Sequence, residues 1–579
     1  MARQKKITAC DCETDPFKYG RVPRPFIWGF YDGKDFSVFN TTEEFVKHVI
    51  DKPIIIYAHN GGKFDFHYLL SFVGETRAQI INGRIISMML GEAELVDSYA
   101  AVPESLKRIK KREIEMWKLE ESVRKEHMKE IIYYLEGDCV YLHELMTTYR
   151  EQAGTRKTIA SNALAYAKKL GLEPGTTNHA FDSDFRPFYF GGRTQCFQPG
   201  TFKNINVFDI HSAYPFAMTH DHPSGAARNF RSTLKLMEKE EIQRAFIHLK
   251  CFSNGAFPIR TNGAQGLNFP IGEGEFKVSG WEYLTAKELG LIKNEEILQV
   301  RLCEGTINFT PYVNYWYNYK QNHPKKDFPI EYTIGKILLN SLYGKMAQNP
   351  ARYFDYKIVE PGTPLPCNDP IPDNDDKICR VCNFLLEEHG WTRYVEYEGK
   401  TFHRRASLWK YEFRYGAEWK SKPLYKNVAT GASITGFTRA HLLRAIHTLG
   451  VEHVIYCDTD SIMCDENADT NALPQSDKLG DWEWEIKNAP LAHFAGKKMY
   501  AIDLGNNEKC NCGSPDGCKR HKVVTKGGRL TFKDMDTLAN GGEVIYHQEA
   551  PSFSISNGEI FFPTRKFRAT ADLAKAKRI

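Results

Sequence analysis

Val454-Ile455-Tyr456-Cys457-Asp458-Thr459-Asp460-Ser461-Ile462-Met463-Cys464-Asp465 sets two acids between two short apolar runs. The pattern predicts a strand, a tight turn and a returning strand. Two carboxylates at i and i+2 on such a turn can point the same way and repel each other. Two readings follow. The pair can be an acidic hairpin tip facing water, or it can hold a divalent metal whose charge cancels the repulsion. Hard oxygen ligands favour Mg²⁺ or Mn²⁺, ions that serve phosphoryl transfer. The apolar flanks set this pair apart from a polar loop.

The chain has 579 residues, 42% hydrophobic and 26% charged, so several domains with ordinary cores are expected. A net charge of +5 and a pI near 8.3 are compatible with a nucleic-acid partner. The basic start Met1-Ala2-Arg3-Gln4-Lys5-Lys6 lacks the apolar core of a signal peptide. No stretch reaches the roughly 18 apolar residues of a membrane span. A soluble, intracellular protein is expected, in the host cytoplasm if the chain is viral. Its 14 cysteines then suggest reduced thiols or metal ligands.

In the first part, Lys6–Ala9 leads into Asp11 and Glu13, which alternate with Cys10 and Cys12 and so share one face of a strand closed by Pro16. Ile54–Ala58 reads as a buried strand, His59–Lys63 as a turn, and Phe64–Leu70 as a helix opening with Asp65 in its first turn. A helix is expected over Met128–Leu145, with Tyr134 and Asp138 one turn apart on one face. Each acid alone has a plain structural explanation. Four acids and a Tyr in one segment suit a two-metal nuclease.

Asp-x-Glu, then Asn60-x4-Asp65, then Tyr134-x3-Asp138 resembles the three exonuclease motifs of family B DNA polymerases. The resemblance implies Asp11, Glu13, Asp65, Asp138 and Tyr134 as catalytic residues of a 3′-to-5′ exonuclease, with Asn60 on single-stranded DNA. The spacing from Asn60 to Asp65 is one residue longer than the usual family form. Ser105–Ile109 resembles the family's basic segment, with Lys107, Arg108 and Lys110 as candidates.

Leu172–Arg186 reads as a turn-rich linker. Tyr189-Phe190-Gly191-Gly192 resembles the Tyr-x-Gly-Gly motif, which implies Tyr189, Gly191 and Gly192 as DNA contacts. Val207–Phe208 reads as strand ending in Asp209, a third acid able to join the opening pair across a sheet. Asp209-x2-Ser212-Ala213-Tyr214-Pro215 resembles motif A, with Ala213 in place of Leu. Tyr214 is then expected under the incoming sugar, selecting dNTP over rNTP. Glu331–Met346 reads as a helix with Ile334, Ile337, Leu338 and Met346 on one buried stripe, and Lys336, Asn340 and Tyr343 on another. It matches motif B, which implies dNTP binding by these three and by upstream Lys320. Lys498-x-Tyr500 resembles the motif that stabilises the primer terminus.

Long insertions before and after motif B resemble terminal-protein regions 1 and 2 of the protein-primed subgroup. The second contains Cys379-x2-Cys382 near Cys367 and His389, and the C-terminal part contains Cys510-x-Cys512-x5-Cys518-x2-His521. Both are open to two readings, structural Zn²⁺ or free thiols on a loop.

The chain is thus identified as resembling protein-primed family B DNA polymerases, of the kind found in small linear-genome bacteriophages and linear plasmids. The implied fold class is multidomain α/β and α+β: an RNase H-like exonuclease domain, then a right-hand polymerase of palm, fingers and thumb. The expected segments are exonuclease 1–171, linker 172–193, palm 194–230, first insertion 231–315, fingers 316–348, second insertion 349–427, palm 428–505 and thumb 506–579. Two Mg²⁺ or Mn²⁺ ions are expected at each site, with Asp209, Asp458 and Asp460 as ligands at one, and Asp11, Glu13, Asp65 and Asp138 at the other. Template and primer DNA, dNTPs and a terminal protein are the implied partners, the chain acting as a monomer or as a heterodimer with terminal protein. A nucleic-acid-primed replication or repair polymerase is the alternative.

Overall fold

The computed structural model describes residues 5–18, 23–74, 76–81, 83–109, 112–228, 230–261, 266–349, 426–506, 519–550 and 562–569, and the strand backbones between 355 and 415 and between 552 and 561. Both cysteine clusters fall outside these residues, apart from His521.

The N-terminal part is built on a nine-stranded sheet. Lys6–Thr14 runs antiparallel to Pro25–Tyr31 and parallel to Ile54–Ala58 within it. Ile54–Ala58 is apolar throughout because both its faces are covered, the habit of a parallel strand. The helix Met128–Ala153 crosses Lys6–Thr14. At the far edge the sheet continues into Asp355–Val359 and Tyr411–Tyr415, strands from the second insertion, through Asp355–Val359 pairing with Thr76–Ile81.

A second, five-stranded sheet is antiparallel throughout. Its order is Trp482–Ala489, Ile205–Ile210, Ser461–Cys464, Val454–Asp458 and Thr194–Cys196. The strand–turn–strand read from Val454–Asp465 is its central hairpin. Helix Val428–Thr448 is buried along nearly its whole length. That helix is rich in small residues because its neighbours come close: a Cβ on Gly436 would sit 2.1 Å from Ser279 Oγ.

The segment read as one helix, Glu331–Met346, is two: Pro329–Leu339 and Leu342–Met346. At the break, Asn340 Nδ2 donates to the Lys336 carbonyl at 2.9 Å and Ser341 Oγ donates to that of Ile337. Side chains that bond back to i−4 carbonyls compete with the helix ladder. The expected apolar stripe is nonetheless buried at Ile334, Ile337, Leu338 and Met346. Helix Thr310–Asn322 packs against Pro329–Leu339.

The first insertion folds as a three-stranded antiparallel sheet, Phe246–Asn254 between Ile271–Ser279 and Ile292–Arg301, carrying helix Gly280–Glu288. Beyond residue 490, three strands join Gly200–Phe202 in a four-stranded sheet, followed by helix Phe532–Ala539 and the hairpin Glu543–His547/Thr564–Arg568. Among the described residues no helix is long and apolar enough to cross a membrane.

Candidate active sites

Strand register brings the opening acids to Asp209. Asp209 and Asp458 both pair with Ser461 from opposite sides, and the Ile210 amide donates to the Asp460 carbonyl at 2.8 Å. Thr459 makes the turn with φ +64°. Its amide donates to the Arg193 carbonyl at 2.6 Å, and a Cβ on Gly192 would sit 2.5 Å from its Oγ1. The Tyr-x-Gly-Gly loop therefore backs directly onto the acidic turn. Arg439 holds that loop from behind, donating at 2.7 Å to the carbonyls of Phe190 and Gly191 while paired with Glu282 at 2.7 Å. Gly191 is exposed and Tyr189 half-buried.

Asp458 accepts from Thr194 Oγ1 at 2.9 Å and from Lys498 Nζ at 3.1 Å. Burial and the Asp460 carboxylate push Asp209 up to about 8. Burial and Asp458 push Asp460 to about 6. Left to themselves these acids shed charge near neutrality. A divalent cation is the group that would let both stay ionised beside Asp458, so the donor set fits one.

Around this floor, Tyr214 stacks on Tyr343 with ring centroids 3.9 Å apart. Lys336 and Asn340 are exposed. Lys320 lies over the Tyr317 ring, and burial lowers its pKa. Tyr500 is buried, its ring 5.1 Å from that of Tyr456, whose hydroxyl accepts from the Lys498 amide at 2.9 Å.

In the first domain, Asp11, Glu13 and Asp138 bring carboxylate oxygens within 4.8 Å of one another, a group able to hold a metal ion. Tyr134 hydrogen-bonds Asp138, and burial with the surrounding acids raises its pKa. A cavity of about 490 Å³ opens over Asp11, Asp138 and Tyr134, with His59, Ser105 and Lys107 on its wall. Asp65 does not join the three. Its Oδ1 accepts from Cys12 Sγ at 3.2 Å, on the strand face opposite Asp11 and Glu13, and burial pushes it to about 6. Asn60, at φ +65°, accepts from Arg84, which also pairs with buried Asp97 at 2.6 Å. Lys110 lies outside the described residues.

His521 stacks on Phe532 and lies 3.8 Å from Asp503. Sequence reasoning missed Thr194, Arg193, Arg439 and Glu282. Arg439, the one arginine in the mostly small and apolar run 428–443, was the available signal.

A family model for DNA polymerase type B, organellar and viral, matches residues 107–363. The DNA-directed DNA polymerase of Enterobacteria phage PRD1 is 34% identical over 608 residues, spanning 98% of this chain and 98% of that protein. The DNA polymerase of Bacillus phage phi29 is 23% identical, spanning 91% and 92%. The structure of phi29 DNA polymerase with primer-template DNA and incoming nucleotide superposes with a TM-score of 0.68 at 20% identity, over 98% of this chain and all of that one. The fold is thus an exonuclease domain followed by a right-hand polymerase. The chain belongs to the type B DNA polymerases of viruses and organelles and is a DNA-directed DNA polymerase, acting on DNA and deoxynucleoside triphosphates.

Proposed function

We propose that this polymerase replicates a linear genome from a protein primer with strand displacement, and proofreads its own 3′ ends in the first domain. The expected segment boundaries given above are part of this reading. Its main support is one arrangement: Asp209 and Asp458 on the two strands that flank Ser461–Cys464 in one sheet and Asp460 in the turn between, with Lys498 on Asp458 and the Tyr214–Tyr343 stack beside them. Two divalent ions, Mg²⁺ or Mn²⁺, held by these acids would supply the charge that stabilises in-line displacement at the α-phosphate. Lys336 and Lys320 neutralise the triphosphate, with Asn340 beside them. Tyr214 underlies the sugar and disfavours a 2′-hydroxyl. Lys498 hands its charge from Asp458 to the primer phosphate, and Tyr500 props the Tyr456 hydroxyl behind it. Tyr189, Gly191 and Gly192 line the DNA path.

At the second centre, Asp11, Glu13 and Asp138 would hold two further ions that polarise the attacking water, with Tyr134 positioned to orient it. Asp65, bonded to Cys12, is kept as a candidate fourth acid of this centre, and Asn60 meets the single strand. The Cys510–Cys512–Cys518–His521 cluster is kept as a candidate structural Zn²⁺ site.

Primer extension and single-strand degradation assays separate the two centres. Asp458→Asn is expected to abolish extension and spare degradation, and Asp138→Asn the reverse. Loss of both activities in both variants, with folding intact, would overturn the assignment. Protein priming is tested with labelled dNTP and the genome's candidate terminal protein. A covalent protein–nucleotide product supports it; its absence with an active polymerase favours the nucleic-acid-primed alternative.

A further inference from the structure

Lys336 is expected to grip the incoming triphosphate, yet its Nζ is paired with Glu104 Oε1 at 3.1 Å. Glu104 comes from the first domain, far away in sequence. Both partners stand on fixed ground. Val102 and Leu106 flank Glu104, Ile334 and Ile337 flank Lys336, and all four are buried in one apolar cluster. The residues just after Glu104, Ser105 to Lys107, form part of the wall of the first domain's cavity. Lys320 lies close enough to Lys336 for the two charges to repel. A triphosphate entering here would meet two lysines, one of them already paired with a carboxylate.

We infer that Glu104 is a built-in competitor of the nucleotide for Lys336, a positioning residue through which the first domain sets nucleotide affinity. The carboxylate holds the lysine side chain at the site in the nucleotide-free enzyme. The triphosphate then displaces it, carrying more negative charge than one carboxylate. Lys336 is half exposed, so the pair is of the modest kind that a polyanion can break.

The inference rests on the reading of Lys336 as a phosphate ligand, and the test separates the two. Single-nucleotide incorporation is measured with the full chain on primed DNA whose primer ends in a hydrolysis-resistant phosphorothioate. Glu104→Gln is expected to lower the KM for dNTP by about two- to fivefold, the range such pairs reach, with kcat unchanged. Glu104→Asp should stay near wild type. Lys336→Ala should raise KM strongly, and adding Glu104→Gln to it should change nothing further. If Lys336→Ala leaves KM untouched, the phosphate-ligand reading fails. If Lys336→Ala raises KM but Glu104→Gln raises it too or leaves it unmoved, the competitor inference fails and Glu104 is only an orienting or surface partner.

Discussion

Gly192 carries a steric demand that a DNA-contact role alone does not explain. The Cβ of an alanine there would lie 2.5 Å from Thr459 Oγ1 and 2.6 Å from its Cγ2, inside any real contact distance. Thr459 cannot retreat freely, because its left-handed backbone is tied to the Arg193 carbonyl. The clash would therefore reach Asp458 and Asp460 on either side. Displacements of about 1 Å at reacting groups cost on the order of 100-fold in rate. Gly192→Ala is expected to cut the kcat of extension by about 10- to 100-fold and leave single-strand degradation near normal. Adding Thr459→Gly, which removes the clashing atoms and suits the positive φ, should recover part of the loss. A Gly192→Ala enzyme with wild-type kcat would refute the steric account.

At the scale of elements, the acidic hairpin and the strands Lys6–Thr14 and Ile54–Ala58 were legible because apolar alternation and turn acids are local signals. The helix break at Asn340–Ser341 was not, since helix propensity says nothing of which side chains will bond back to the ladder. Nor was the direction of Asp65: Asp11 and Glu13 were rightly placed on one face, but the helix bearing Asp65 approaches the Cys12 face, a tertiary choice. The contact between strand His222–Ala227 and helix Val428–Thr448 carries a pH dependence. His222 is fully buried, with Nε2–H donating to the Ala217 carbonyl at 2.7 Å and Nδ1 accepting from Ser433 Oγ at 2.9 Å. Burial depresses its pKa to about 4, below the ordinary 6.5. The folded protein thus keeps it neutral while the unfolded chain takes a proton below pH 6.5. Its contribution is whole above that pH and is lost as pH falls toward 4, up to roughly 3 kcal/mol. Urea midpoints of wild type and His222→Gln should converge between pH 7 and pH 4.5. Parallel pH profiles would remove His222 as a cause.

For the whole molecule, the chain is expected to unfold as fewer units than its segments suggest. Leu142, Met146 and Tyr149 of helix Met128–Ala153 and Leu164 of helix Ile159–Lys169 share one buried cluster with Trp316 of helix Thr310–Asn322 and Ile334 and Leu338 of helix Pro329–Leu339. Tyr166 packs on Trp316 with centroids 4.9 Å apart. The backbone adds a second bond, Asp355–Val359 lying beside Thr76–Ile81 in the large sheet. Long-range pairing of this kind has no local sequence signature, so the boundary near residue 171 read from composition divides the chain more cleanly than the packing does. Each such side chain stabilises the fold by about 1.5–3 kcal/mol when buried, so uncovering several approaches the whole stability of an ordinary domain, about 5–15 kcal/mol. A fragment spanning 172–579 should therefore aggregate or melt without a cooperative transition, and calorimetry of the full chain should show the first domain and the helices from Thr310 to Met346 unfolding together. A soluble 172–579 fragment that melts cooperatively and extends primers would show instead that the shared core is dispensable, and that the two active centres sit on separately stable bodies.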